Sequence, residues 1–176
     1  MDGVQFPFLK DYSQQAMFYG LFEPEVEMAI RSHLPKNGCF VDVGANVGYF
    51  TAIAASVAGS GRKFWAFEPH KGHFERLSLF ADLNHGRYTI SCMPLAVSDV
   101  EGAEAKVLAG AQRLILENRI HNMILEISHP GHHEEPPLLP ILRKMGMRVL
   151  NLATGLPVIP SLSPSIGNVI CTPAGC

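Results

Sequence analysis

The stretch Phe40–Ile53, FVDVGANVGYFTAI, puts an acid inside an apolar run, then Gly44 and Gly48 around Asn46, then a second apolar segment. Cys39 to Val43 has strand length and Val47 to Val57 has helical spacing, so the glycines mark a sharp strand-to-helix turn. In an open parallel sheet, ligands sit beyond the carboxyl ends of the strands, where the strand order reverses. This loop belongs at such an end. Glycine lets a backbone approach a ligand closely, and Asn is among the few other residues that readily take left-handed conformations.

Outward from this stretch, further apolar runs of strand length follow: Phe64 to Phe67, Ile90 to Val97, Met123 to Ile127, Val149 to Leu152 and Asn168 to Cys171. They lack polar alternation, as strands buried on both faces do. Between them, Phe74, Leu77, Phe80 and Leu83 mark one helix, Val107, Leu108, Ala111, Leu114 and Ile115 another, and Leu138, Leu139, Leu142 and Met145 a third. Ahead of the first strand, Glu23-Pro24-Glu25 with Val26, Ala29, Ile30 and Leu34 predicts a helix with proline in its first turn. Alternation of this kind predicts an α/β domain with a doubly wound, mostly parallel sheet. The tail from Ala153 to Cys176 has a Pro/Ser/Gly-rich loop and one short run, which reads as a returning antiparallel strand. The expected organisation is one domain over 1–176: a helical segment over 1–37, an α/β core over 38–152, and a terminal loop and strand over 153–176.

Composition narrows the function. The chain has 176 residues, 47% hydrophobic and 17% charged, enough for one domain with a sizeable core. A net charge of −2 gives no electrostatic reason to expect nucleic acid or an acidic membrane, and points to a small-molecule partner. The first residues, MDGVQFPFLKDY, lack the basic start and apolar core of a signal peptide. Cys39, Cys92, Cys171 and Cys176 show no paired metal spacing and read as reduced thiols, which fits the cytoplasm.

The second strand ends in Phe67-Glu68-Pro69, and Glu68 follows Gly48 by twenty residues. An acid at that distance accepts hydrogen bonds from a ribose, so the loop and acid together indicate a nucleoside-containing cofactor. The dinucleotide pattern G-x-G-x-x-G is absent, because the loop reads G-A-N-V-G, and Asp42 would place a negative charge near any bound phosphate. S-adenosylmethionine fits better than NAD. It offers ribose hydroxyls to Glu68, has no phosphate, and carries cationic groups for Asp42 to complement. A sharp turn with a helix-capping acid is the structural alternative for the loop alone.

At this point the sequence resembles the FkbM family of S-adenosylmethionine-dependent methyltransferases. The resemblance rests on GLFEPEVE, FVDVGANVGYFT, FWAFEPHKGHFERL, PLAVSD, DVEGAEAKVLAGA and ILEI, which cover most of Gly20 to Ile127. It implies a Rossmann-like methyltransferase fold and methyl transfer to a hydroxyl oxygen of a sugar, a macrolide or a similar metabolite. Carried over by position, Asp42, Gly44, Asn46, Gly48 and Glu68 would hold the cofactor, with Ala45 and Pro69 in the same two motifs. Asp99 and Glu101 would line the reaction site.

One departure from the family is large. LAVSD and DVEGAE lie several tens of residues apart in the family but are fused here over Leu95–Glu104, with Asp99 serving both. A segment including one strand is missing, so the sheet is expected to have one strand fewer than the usual seven. A sheet does not leave an empty slot, because neighbouring strands lie about 4.8 Å apart and buried backbone groups need partners. The run Ile90 to Val97 is therefore expected beside Cys39 to Val43, healing the sheet but thinning the wall over the adenine. A shortened, catalytically impaired relative acting as a binding or interaction module is the competing reading.

Asp99, Glu101 and Glu104 are candidate bases, and equally candidate helix-starting acids. The stretch SHPGHHEEPP, Ser128 to Pro137, brings His129, His132, His133, Glu134 and Glu135 together. Pro130-Gly131 breaks any helix that would align them and no second ligand cluster appears, so a solvated loop is the expected reading, with a metal site or an acceptor-side acid or base as alternatives, and no metal is assigned.

Overall fold

The glycine turn organises the first half of the molecule. In the computed structural model, which describes residues 3–7, 15–17, 19–36, 38–94, 104–117, 119–127, 138–158 and 167–173, the chain divides into two compact units, Met1–Val97 and Ser98–Cys176.

The first unit alternates helix and strand. Helix α1 (Pro24–His33) starts with proline and with Glu25 and Glu27 at its positive end, and finishes with Arg31 and His33 at its negative end. It is followed by β1 (Phe40–Val43), α2 (Tyr49–Ala58), β2 (Lys63–Phe67), α3 (Lys71–Leu83) and β3 (Thr89–Met93). Helix α2 begins two residues later than its apolar spacing predicts, because Gly48 at φ 91° is its N-cap. The strands form a parallel sheet in the order β1-β2-β3, with Asp42 opposite Ala66 and Ala66 opposite Cys92. On that face Ala66 packs with Ala45, Ala52, Leu77 and Phe80, all buried.

Two expectations are corrected here. The third strand does not take the inner slot beside β1; it lies on the far side of β2. The local reason is connectivity: the α3 crossover from β2 delivers the chain to the free edge of β2, where β3 pairs along its whole length. Within the first unit, and among the described residues, β1 is not covered on both faces either. Its residues alternate, with Asp42 buried but Val41 56% and Val43 47% exposed. An apolar run reports affinity for a core and cannot say which of its faces receives one.

The second unit is built from α4 (Glu104–Leu116), β4 (Met123–Ile127), α5 (Leu138–Lys144), β5 (Met147–Asn151) and β6 (Gly167–Pro173). Its sheet has the order β4-β6-β5, with β6 antiparallel to both neighbours, as expected of a returning terminal strand. Leu108 and Ile115 from α4, Leu139 and Leu142 from α5, and Ile127, Val149, Val169 and Cys171 from the strands form one buried apolar cluster. Among the described residues, no helix is long and apolar enough to cross a membrane. Cys39, Cys92 and Cys171 are free thiols, and burial pushes Cys92 up to about 11 and Cys171 up to about 12.

Candidate functional site

The turn after β1 is a sequence of left-handed residues. Gly44 (φ 78°), Asn46 (φ 51°) and Gly48 (φ 91°) alternate with Ala45 and Val47, which are buried. Alternation of this kind folds the chain back sharply enough for both the Gly44 and Ala45 amides to donate to the Phe67 carbonyl at 2.9 Å. That pair of bonds ties the turn to the end of β2. Gly48 is required twice over, since a Cβ there would also lie 2.8 Å from Phe80 and 2.9 Å from Leu77. At Gly44 the opposite holds: a Cβ would meet no atom within 4 Å, so the backbone lies open to a close approach.

Glu68 leaves β2 toward this turn and is buried, at 5% exposure. Its Oε2 accepts from the Asn46 amide at 2.8 Å and its Oε1 from the His70 amide at 2.8 Å. The carboxylate therefore bridges the two motifs that the sequence marks as cofactor-binding. Each oxygen keeps acceptor capacity beyond these bonds. His73, in the first turn of α3, places Nδ1 3.8 Å from Oε1, and its ring centre lies 4.4 Å from that of His70 with the planes tilted by 46°. The His70 side chain caps α3 by accepting from the His73 amide. Pro69 is exposed at the rim, as are Gly44 and Asn46.

Asp42 projects into the core face toward α2. Gly48 has no side chain to satisfy the first amides of the helix. Asp42 reaches this first turn, taking a hydrogen bond from the Thr51 hydroxyl to Oδ2 at 2.6 Å. Burial lifts its carboxyl to about 6; hydrogen bonding from Thr51 pulls the other way, and the neighbouring Glu68 charge adds to the rise. A buried acid held this way is a functional-site signal with a physical cause.

The structure thus brings Asp42, Gly44, Ala45, Asn46, Gly48, Glu68 and Pro69 together at the carboxyl end of the parallel strands. Asp99 and Glu101 lie outside the described residues, as does Ser128–Pro137. Glu104 opens α4. Among the described residues no group of His, Cys, Asp or Glu is placed to hold a metal. Sequence reasoning missed Thr51, His70 and His73. A glycine N-cap was the available signal for Thr51, since such a helix needs an acceptor from elsewhere in the chain.

No protein-family model matches the chain, and no curated protein matches it significantly. Solved structures do match. A TehB-like S-adenosylmethionine-dependent methyltransferase of Corynebacterium glutamicum superposes with a TM-score of 0.63 at 9% identity, over 91% of this chain and 93% of that one. The magnesium protoporphyrin IX methyltransferase of Synechocystis PCC 6803, solved with S-adenosylmethionine bound, gives 0.59 at 12% identity, over 97% and 88%. The methyltransferase FkbM of Methylobacillus flagellatus gives 0.54 at 16% identity, over 93% of this chain and 56% of that one. The glycine turn at the end of β1, the acid at the end of β2 and these superpositions agree on architecture: the chain has the fold of S-adenosylmethionine-dependent methyltransferases.

Proposed function

We propose that this protein binds S-adenosylmethionine and transfers its methyl group to a hydroxyl oxygen of a small molecule or glycan, as an FkbM-type enzyme of the cytoplasm. The observation that carries the reading is the Glu68 carboxylate, buried at the end of β2 and bonded across to the Asn46 amide of the glycine turn. This is where a ribose diol would be held, and the exposed Gly44 backbone gives the rest of the nucleoside its approach. The donor set fits the cofactor chemically. Two acids and no cation line the crevice among the residues assigned to it, which suits a ligand with cationic sulfur and nitrogen and opposes a pyrophosphate.

When bound, S-adenosylmethionine supplies an activated methyl on a sulfonium that leaves as a neutral thioether. The chain's own contribution is alignment and, for an alcohol acceptor, a base that takes the hydroxyl proton. Glu68 and the turn fix the nucleoside. Asp42 complements the positive charge. Asp99 and Glu101 are the residues we assign to the acceptor side, on the strength of the family resemblance.

The test is calorimetric titration with S-adenosylhomocysteine and, separately, NAD. Binding of the first near micromolar, about −8 kcal/mol, with none of the second, is the expected result. Glu68→Gln keeps the shape but loses the charge that strengthens bonds to ribose hydroxyls, and is expected to weaken binding about tenfold or more. Equal affinity in wild type and variant removes the ribose assignment. One observation favours a second reading, a shortened relative that binds without turning over: the fusion of two family motifs at Asp99. Cofactor binding with no methyl transfer across a screen of hydroxylated acceptors is what that reading predicts.

A further inference from the structure

We propose that Thr51 is the positioning residue of the cofactor crevice: its hydroxyl holds the Asp42 carboxylate that complements the cationic part of S-adenosylmethionine. The inference rests on the reading of the crevice given above and deepens it.

Three observations carry it. The Oγ1 to Oδ2 distance of 2.6 Å lies in the range of a charge-assisted bond from a hydroxyl to an anion. Thr51 is fully buried and Asp42 only 9% exposed, so water is poorly placed to replace the donor. A helical threonine ordinarily turns its hydroxyl back to a carbonyl of the preceding turn; here it donates to an acid nine residues earlier, on a different element. The geometry makes Thr51 the point where the helix reaches the carboxylate.

The surroundings leave this task to Thr51. Glu68, at the end of β2, is the charged neighbour that acts on Asp42, and its charge favours the protonated acid. His73 of α3 lies 3.8 Å from Glu68 and so addresses that carboxylate. The first turn of α2 contains no acid. Against burial and Glu68, hydrogen bonding from Thr51 is the influence that keeps Asp42 an anion.

The test compares Thr51→Val, nearly equal in shape but without the hydroxyl, with Thr51→Ser, which restores it, and with Thr51→Ala as a second variant lacking it. Each is titrated with S-adenosylmethionine between pH 5 and pH 8, with adenosine as the uncharged control, and the Asp42 carboxyl is followed by carbon-13 NMR in the ligand-free protein. In Thr51→Val and Thr51→Ala, we expect the acidic limb of S-adenosylmethionine binding to move up by about one pH unit. Adenosine binding should be unchanged, the Asp42 titration should move the same way, and Thr51→Ser should return both to wild type. Folded Thr51→Val and Thr51→Ala with wild-type pH profiles would overturn the proposal. So would a folded Thr51→Ser that behaves like Thr51→Val, because the effect would then come from packing. Wild type that binds no S-adenosylmethionine at any pH would overturn the crevice reading and this proposal with it, an outcome distinct from binding that ignores Thr51.

Discussion

The two sheets of this protein bury different things. Every buried polar or charged side chain among the described residues, namely Asp42, Thr51, Glu68 and Asn84, belongs to the first unit. The second unit buries Leu, Ile, Val, Met and Cys side chains in one cluster around β4, β6 and β5. A buried polar group costs stability unless it is fully bonded, and even then contributes little net. A region that keeps such groups is shaped by something besides stability, whereas an apolar cluster needs no further explanation. Asn84 shows that the rule has structural exceptions. It donates to the Phe80 and Gln5 carbonyls and accepts from the Gln5 amide, strapping an early segment to the end of α3.

The comparison breaks first in the apolar unit. Leu142 is fully buried, so Leu142→Ala is expected to cost about 2–5 kcal/mol by denaturant melting. Any molecules that remain folded should bind S-adenosylhomocysteine with wild-type affinity. A large loss of affinity in folded Leu142→Ala would mean that the polar unit does not own the site.

Asp42→Asn sharpens the contrast in the opposite direction. The folded carboxyl titrates near 6 against an ordinary 3.8, so the folded state takes up the proton first. Wild-type stability therefore falls as pH rises through that window, and above it the ionised acid costs about 3 kcal/mol. Asp42→Asn should raise stability at pH 8 by up to this amount, should flatten its dependence between pH 4 and 6, and should bind S-adenosylmethionine more weakly. A variant no more stable than wild type would count against Asp42 being held at a cost.

Gly48→Ala comes next in size. The left-handed backbone and the close Phe80 and Leu77 side chains together predict a loss of about 1–3 kcal/mol, with weaker cofactor binding as the turn shifts. The smallest effect belongs to the surface. Arg31 bonds Glu27 at 2.7 Å but is partly exposed, so Arg31→Ala should change stability by less than about 1 kcal/mol and leave binding untouched. Glu27 also accepts from the Tyr49 hydroxyl at 2.9 Å, which holds α1 to α2 without Arg31.

Much of this was legible before any coordinates. The spacing of apolar residues located the helices and strands to within a few residues, because a helix or strand must present its period to a core wherever that core lies. Gly44 and Gly48 announced the turn, because few residues other than glycine accept its backbone, and Glu68 at the next strand end is the acid that bonds to it. What the sequence by itself determined is thus local: element type, the turn, and the residues that line it. Strand order was decided only by the tertiary structure. Both edges of the sheet offer the same backbone groups to β3, and nothing in Ile90-Ser91-Cys92 distinguishes a place beside Val41 from one beside Trp65. The same holds for Thr51. Its bond to Asp42 joins a helix to a strand, and such a contact exists only once the turn between them has closed.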